Sequence, residues 1–354
     1  MIGTRSQAGR GFMVSTLRGP LGWALAAGLA IAACGGAGTG GTSPTAAGPK
    51  LGSAERPIQL AITPSAEVQR LTATGNVIAA ALGKSTGLTW KVSVPTSYAA
   101  QIDAICAGQV DVAFIAPLQM TLALDKGCVT PIAAALRKNA EGKLTTTYES
   151  QILVRKDSGI KTLADLKGKR FAFTDTISAS GYLFPSLLIK QKTGQDPKTF
   201  FGGANNITFI GGHPQAALAV YNRQVDGGSM FIDARVKDLQ TKELAAGMPS
   251  DILDVTEVID KAGPIPNDGI AIRKDVPTDI AGQIKKALLD YGSTDDGKKN
   301  YKDLFGWDGM QEVQANFFDP VREAAKLAGI DVAGEAAKTP RPPATVAPSP
   351  SKSP

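Results

Sequence analysis

FAFTDTISASGYLFPSLLIKQKT, residues 171–193, sets three kinds of local structure in a row. Phe171, Ala172 and Phe173 form a short apolar run of strand type. Asp175 to Ser180 make a small, hydroxyl-rich turn, and beyond Gly181 the residues Leu183, Leu187 and Leu188 recur at helical spacing. The same unit repeats on both sides. Upstream, a strand at 58–62 leads to a helix over 67–84 stopped by Thr86-Gly87. A strand through Leu88, Trp90, Val92 and Val94 follows, then a helix at 98–107, a strand at 110–116, a helix at 118–126 and a strand at 129–135. Downstream, strands are expected at 207–210, 225–232 and 252–255, with helices at 214–223 and 234–246. Strands alternating with helices predict an α/β protein whose sheets are mostly parallel and flanked by helices.

A short echo divides this series in two. Gly108-Gln109-Val110-Asp111 follows one expected helix and Arg223-Gln224-Val225-Asp226 follows another, each leading into a strand. Two lobes of one plan are therefore expected. The extended runs Ser150–Val154 and Gly269–Ile272 read as the two crossings between them, with lobe 1 built from 55–151 and 270–335 and lobe 2 from 152–269. Ligands favour the interface of such lobes, where strand ends and helix starts converge.

With 354 residues, 43% hydrophobic and 20% charged, the composition is that of a soluble protein of about two domains, which excludes disorder throughout and a polytopic membrane protein. The net charge of +6 is concentrated at the ends. Arg5, Arg10 and Arg18 precede Cys34, and Arg341 and Lys352 lie in a proline-rich tail at 339–354, expected to be disordered; without these five, 33 basic residues face 32 acidic ones. Nucleic-acid binding thereby loses its electrostatic basis. Residues 1–33 combine arginines with the apolar run Leu21–Ile31, too short to span a bilayer, and so read as an export signal, with Met13 as an alternative start. Ile31-Ala32-Ala33-Cys34 resembles the bacterial lipobox, in which the signal is cut before a cysteine that carries lipid. Residues 34–54, rich in glycine and small residues, read as a flexible tether. An extracytoplasmic, lipid-anchored protein is expected. In that oxidising setting Cys106 and Cys128 are candidates for a disulfide, with two buried thiols as the alternative.

Ligand candidates lie in the strand-end turns. At Thr174–Tyr182 a helix start with Ser178 and Ser180 offers amide donors, aligned peptide dipoles and hydroxyls to an anion, although one serine would serve equally as an ordinary cap. Ile210-Gly211-Gly212-His213-Pro214 repeats the arrangement with the chain's only histidine beside a helix start. Pro95–Tyr98 and Ala116–Met120 are the corresponding turns of the first lobe. No cluster has metal-ligand spacing and no phosphate-loop motif occurs, so neither metal, cofactor nor ATP hydrolysis is expected.

YAAQIDAICAGQVDVAFIAP (98–117), VRKDSGIKTLADLKGKRFAFTDTISASGYLFP (154–185), FIGGH (209–213), IPNDGIAIRK (265–274) and LFGWDGM (304–310) together resemble the phosphonate/phosphite-binding proteins of bacterial ABC importers, over nearly all of 56–330. The resemblance implies a type II periplasmic-binding-protein fold, two lobes that close around a ligand. It places a phosphonate grip on Ser178, Ala179, Ser180 and Gly181, with alanine where the family has threonine. It further implicates Tyr98, His213 and, where a tyrosine is usual, Met120. Asp233 and Asp268 align with carboxylates that in aminophosphonate binders face the ligand's amine, Asp233 reading equally as a helix cap. A carboxylate beside an anion repels it unless a proton or an ammonium lies between, so Asp268 reads as selecting a protonated P–OH or an amine, and Asp233 as a second acid tilts the expectation toward an aminoalkyl group. The implied site holds its anion with amides, hydroxyls and one imidazole rather than with fixed positive charge. The expected function is a non-enzymatic, monomeric receptor for a small phosphorus oxyanion, a phosphonate, phosphite or aminoalkylphosphonate. Its partners would be separate permease and ATPase subunits, with no nucleic acid among them. Alternatives are a receptor for a sulfonate or thiamine-like compound, an enzyme on the same fold, or a receptor feeding a sensor.

Overall fold

A computed structural model describes residues 48–139 and 141–338. The export signal, Cys34, most of the tether and the tail at 339–354 lie outside the described residues. No helix among those described is long and apolar enough to cross a membrane.

Along the chain the strands are β1 (Ile58–Ile62), β2 (Trp90–Ser93), β3 (Val112–Ile115), β4 (Val129–Lys138) and the two-residue β5 (Leu144–Thr145). They continue with β6 (Thr147–Arg155), β7 (Phe171–Phe173), β8 (Ile207–Phe209), β9 (Gly227–Phe231), β10 (Thr256–Pro266), β11 (Gly269–Arg273) and β12 (Gly309–Gln311). They build two sheets, ordered β2-β1-β3-β11-β4-β12 and β8-β7-β9-β6-β10. In each sheet the three strands from successive strand–helix units are parallel and the rest antiparallel. The two-lobed α/β architecture is as expected; the sheets are mixed rather than mostly parallel, because strands that return across the lobes enter them from the opposite end.

The first lobe is covered on one face by helix Val68–Thr86, whose buried Leu71, Ile78 and Leu82 meet Ile58, Leu60 and Ile62, and by helices Thr278–Ser293 and Asp295–Phe305 around Trp307. Helices Tyr98–Cys106, Pro117–Asp125 and Asp319–Ala328 cover the other face. Asp319–Ala328 also packs on Phe184–Thr193 of the second lobe, so the two lobes share part of one core. In the second lobe a phenylalanine cluster at 171, 173, 200 and 201 fills one side of the sheet, and the alanine-rich helix His213–Tyr221 lies on the other. Cys106, at the end of its helix, is joined to Cys128, a cross-link over a 22-residue separation. A loop of that size lowers the entropy of the unfolded chain by an amount worth about 3 kcal/mol.

Several expected elements differ. β6 lies wholly within the second sheet, and β11 lies inside the first, between β3 and β4. The crossings are instead the short links before β6 and between β10 and β11. Asn267 pins them together: its amide donates to Thr146 O at 2.9 Å, and its Nδ2 donates to Ala135 O and Thr145 O at 2.8 and 2.9 Å. Residues 252–255, expected as a strand, form one helical turn, since a short apolar run carries no decisive period. The strand is β10 just beyond it, disguised by the charges and glycine of a sheet edge. Residues 234–246, expected as a helix, instead fold back on themselves. Asp238 Oδ1 accepts the amides of Gln240 and Thr241 at 2.9 Å each, and Lys237 N–H and Ala245 N–H donate across the loop to Glu243 and Arg235 carbonyls. A side chain that satisfies local amides competes with the helix for them.

Candidate functional site

Each wall of the cleft between the lobes is made of strand ends and helix starts. On the first-lobe side Thr63 follows β1, Tyr98 opens the helix capped by Ser97, and Ala116 follows β3. A buried network fixes these turns to one another. Thr63 Oγ1 lies 2.7 Å from Gln101 Oε1 and 2.8 Å from Gln119 Oε1, while Gln119 Nε2 donates to Gln101 Oε1 and to Tyr98 O. On the second-lobe side β7 runs into Ser178, which caps a wide helical turn, Ala179–Leu183, continuing as helix Phe184–Thr193. Ser178 Oγ accepts the Gly181 amide at 3.0 Å. The tightness of this turn accounts for Gly181: a Cβ there would sit 1.7 Å from Thr174 Oγ1.

The cavity enclosed by these walls has a volume of about 1490 Å³ and is lined by Tyr98, Ser178, Ala179, Ser180, His213, Asp233 and Asp268, all expected, together with Arg137 and Tyr148, which were not. Two expected residues stand back from it. Met120 is fully buried in the first-lobe core, reaching toward Gly269 and Phe318, because its helix turns that side chain under β11. Gly181 shapes the turn, and its amide is already taken by Ser178.

Each serine of the turn meets a tyrosine. Tyr98 is hydrogen-bonded to Ser178, across the cleft, and Tyr148 OH donates to Ser180 Oγ at 3.2 Å. Burial, reinforced by nearby acidic groups, raises both phenols well above their ordinary range, so both stay protonated donors. His213 is also buried. Its Nδ1 accepts the Phe231 amide at 3.1 Å, which leaves the ring proton on Nε2. Burial and the positive charge of Arg137 push it down to about 3, so it is a neutral donor at physiological pH. The His213 amide donates to Ser65 O of the opposite lobe at 3.3 Å.

Arg137, at the far end of an otherwise apolar strand, corrects the expectation of a site without fixed positive charge. Its Nη2 meets Asp268 Oδ2 at 2.6 Å, its guanidinium carbon lies 5.5 and 5.7 Å from the centres of the Tyr148 and Phe231 rings, and its buried Nε has no partner among the described residues. Trp307 Nε1 also donates to Asp268 Oδ2, at 3.3 Å. Asp233 is held more completely. Arg235 grips both its oxygens at 3.0 and 2.7 Å, and Gln151 Nε2 adds a bond of 3.0 Å. Burial would raise the Asp233 carboxyl, but Arg235 and Gln151 prevail and hold it below the usual range.

Farther out, two reciprocal ion pairs span the mouth of the cleft: Lys302 of the first lobe to Asp238 of the second at 3.0 Å, and Lys237 of the second to Asp303 of the first at 3.1 Å. Arg137 was legible in one respect, as a charge ending an apolar strand on the ligand side of a sheet. Tyr148 had no such signal, since only the pairing of β6 brings it opposite Ser180. Among the described residues no cluster of three or more His, Cys, Asp or Glu is arranged to hold a metal ion.

Residues 60–317 match the profile of the family described as ABC transporter, phosphonate, periplasmic substrate-binding protein. The phosphate-import protein PhnD of Mycolicibacterium smegmatis is 32% identical over 180 residues, 49% of this chain and 54% of that protein, so the match spans about half of that relative. A phosphonates-binding periplasmic protein of Escherichia coli is 28% identical over 246 residues, 68% of each chain. Among solved structures, a binding-protein component of an ABC phosphonate transporter from Pseudomonas aeruginosa shares the fold with a TM-score of 0.66 at 24% identity, covering 77% of this chain and 86% of that one. A match of this extent, over a two-lobed fold, establishes that the chain belongs to the family of periplasmic substrate-binding proteins of ABC phosphonate transporters.

Proposed function

We propose that the protein is an extracytoplasmic receptor that captures a small phosphorus oxyanion between its lobes and delivers it to a separate permease and ATPase, anchored by lipid on Cys34 and acting as a monomer without catalysis. The observation that carries this reading is the convergence of neutral and cationic donors on one cavity: Ser178 and Ser180 at a helix start, Tyr98, Tyr148, the Nε2–H of His213, and Arg137. A tetrahedral anion needs several donors around it at once, and charge-assisted hydrogen bonds supply about 1.5 to 3 kcal/mol each in such a site. The first amides of a helix have no intrahelical acceptor, so those of Ala179 and Ser180 are suited to oxyanion contact. Asp268, held by Arg137, offers an acceptor for a protonated P–OH beside a donor for P–O⁻.

Closure would follow from the same contacts. A ligand held by Ser178 and Ser180 on one side and Tyr98 on the other binds the closed form better than the open one and shifts the population toward it. Calorimetry with phosphate, phosphite and methylphosphonate, with a sulfonate and thiamine as comparisons, tests the reading. One of the phosphorus anions is expected to bind tightest. Ser178→Ala and His213→Ala should each weaken it by about 1 to 3 kcal/mol, and unchanged affinity in both variants would reject the site.

A further inference from the structure

We infer that the cleft selects a phosphorus oxyanion whose substituent carries no ammonium group, because both carboxylates that reach the anion site are already occupied by arginines. This inference rests on the phosphorus-oxyanion reading above and narrows it. Asp233 has both oxygens engaged by Arg235, at 3.0 and 2.7 Å, and its Oδ1 also accepts from Gln151 and from the Arg235 amide. Arg235 is not free to leave: its Nη1 donates to Thr256 Oγ1 and Thr256 O at 2.8 and 3.2 Å, and only 8% of the side chain is exposed. Asp268 has its Oδ2 shared by Arg137 at 2.6 Å and Trp307 at 3.3 Å.

The remaining acids around the cavity are accounted for as well. Asp238, Asp303 and Asp308 pair with Lys302, Lys237 and again Lys302, and Glu149 pairs with Lys261. Glu67 caps its own helix, and Glu141 is exposed at the rim. An ammonium group entering the anion site would find Asp233 and Asp268 each paired with a guanidinium group, while Asp175, half-buried beside Tyr98, is held by backbone amides, among them that of Ile177 at 2.8 Å. To be received by Asp233 it would have to break a buried ion pair, and leaving one partner of such a pair uncompensated is strongly unfavourable; at Asp268 it could reach only Oδ1, beside the positive charge of Arg137. An anion meets the opposite situation, since the Nε–H of Arg137 is buried and without a partner among the described residues.

The test compares ethylphosphonate with 2-aminoethylphosphonate, nearly isosteric and differing in the terminal ammonium, by calorimetry on the purified chain with phosphate as reference. Ethylphosphonate is expected to bind at least about a hundredfold more tightly, a ratio equivalent to roughly 2.7 kcal/mol. Arg235→Gln, which releases Asp233, should shift that ratio toward the amine by at least about tenfold; Arg137→Gln, which releases Asp268, gives the same readout if the first variant does not fold. Equal or tighter binding of 2-aminoethylphosphonate by the unaltered chain would overturn the selectivity while leaving the receptor role intact. Failure of phosphate and both phosphonates to bind would remove the receptor reading, and the selectivity with it.

Discussion

The two lobes place the same elements in the same order and use them differently. β2-β1-β3 in the first corresponds to β8-β7-β9 in the second, and β11 and β4 correspond to β6 and β10. The helix after β1 therefore matches the helix after β7. In the first lobe its start is closed by a carboxylate: Glu67 accepts the amides of Gln69 and Arg70 at 2.9 and 2.8 Å. In the second lobe the start is capped by a neutral serine, which takes only the Gly181 amide. An acid at a helix start occupies the place an anion would take; a serine leaves the dipole and the neighbouring amides available. The helices after β2 and β8 begin with Tyr98 and His213, both buried and both donors. On the proposed reading the anion grip would belong chiefly to the second lobe, with the first contributing to closure.

The most direct way to break this contrast is to give the second lobe the first lobe's cap. Ser178→Glu should abolish binding of the phosphorus ligand, with an affinity loss of at least about 3 kcal/mol from two lost charge-assisted hydrogen bonds. Glu67→Ala should cost about 1 kcal/mol of stability as a lost cap and leave affinity within about twofold. Calorimetry and denaturant unfolding of the two variants decide it; comparable affinity losses in both would end the asymmetry between the lobes.

A smaller effect separates the two helix-start rings by pH. The His213 ring is held at about 3 in the fold and takes its ordinary value of 6.5 when unfolded. As pH falls below 6.5 the unfolded chain takes a proton that the folded chain refuses, so stability present above 6.5 is lost progressively toward pH 3, by about 1.4 kcal/mol per unit from this residue. Tyr98, raised rather than lowered, contributes no such slope in acid. The expected result is a shallower acid dependence of unfolding free energy in His213→Gln than in the parent, and superimposable slopes would contradict it. The smallest effect concerns the mouth of the cleft. Lys237 and Lys302 are 44% and 23% exposed in their cross-lobe pairs, so each pair is worth under about 1 kcal/mol. Lys237→Gln combined with Lys302→Gln should speed ligand release severalfold at low salt. The difference should vanish near 1 M salt, where screening acts over about 3 Å; a salt-independent difference would indicate a steric role instead.

Much of this contrast could be read before any coordinates. The turn at 174–181 was legible because hydroxyls and a glycine stand between an apolar run and a helical period, and the Gln-Val-Asp echo led to a real equivalence. In the structure Asp111 and Asp226 each accept an amide at the start of the neighbouring strand, from Gln59 within β1 and from Arg170 just before β7, and each binds an arginine. The loop at 235–245 was not legible, since its composition favours a helix, whereas in the fold Asp238 accepts the amides of Gln240 and Thr241 and pairs with Lys302 of the other lobe. Nor was the state of the carboxylates. Asp233 and Asp268 stand in the sequence as available acids, and the arginines that occupy them are two and 131 residues away.

Sequence alone determined the two-lobed α/β plan and the serine turn, because period, turn chemistry and helix caps are local properties that act within a few residues. Tertiary structure alone decided that Arg137 and Tyr148 enter the site, that Met120 is withdrawn from it, and that Asp233 and Asp268 are paired with arginines. Those outcomes depend on which strand ends meet across the cleft, and the free energy of a buried charge is set by neighbours that the chain brings together only on folding.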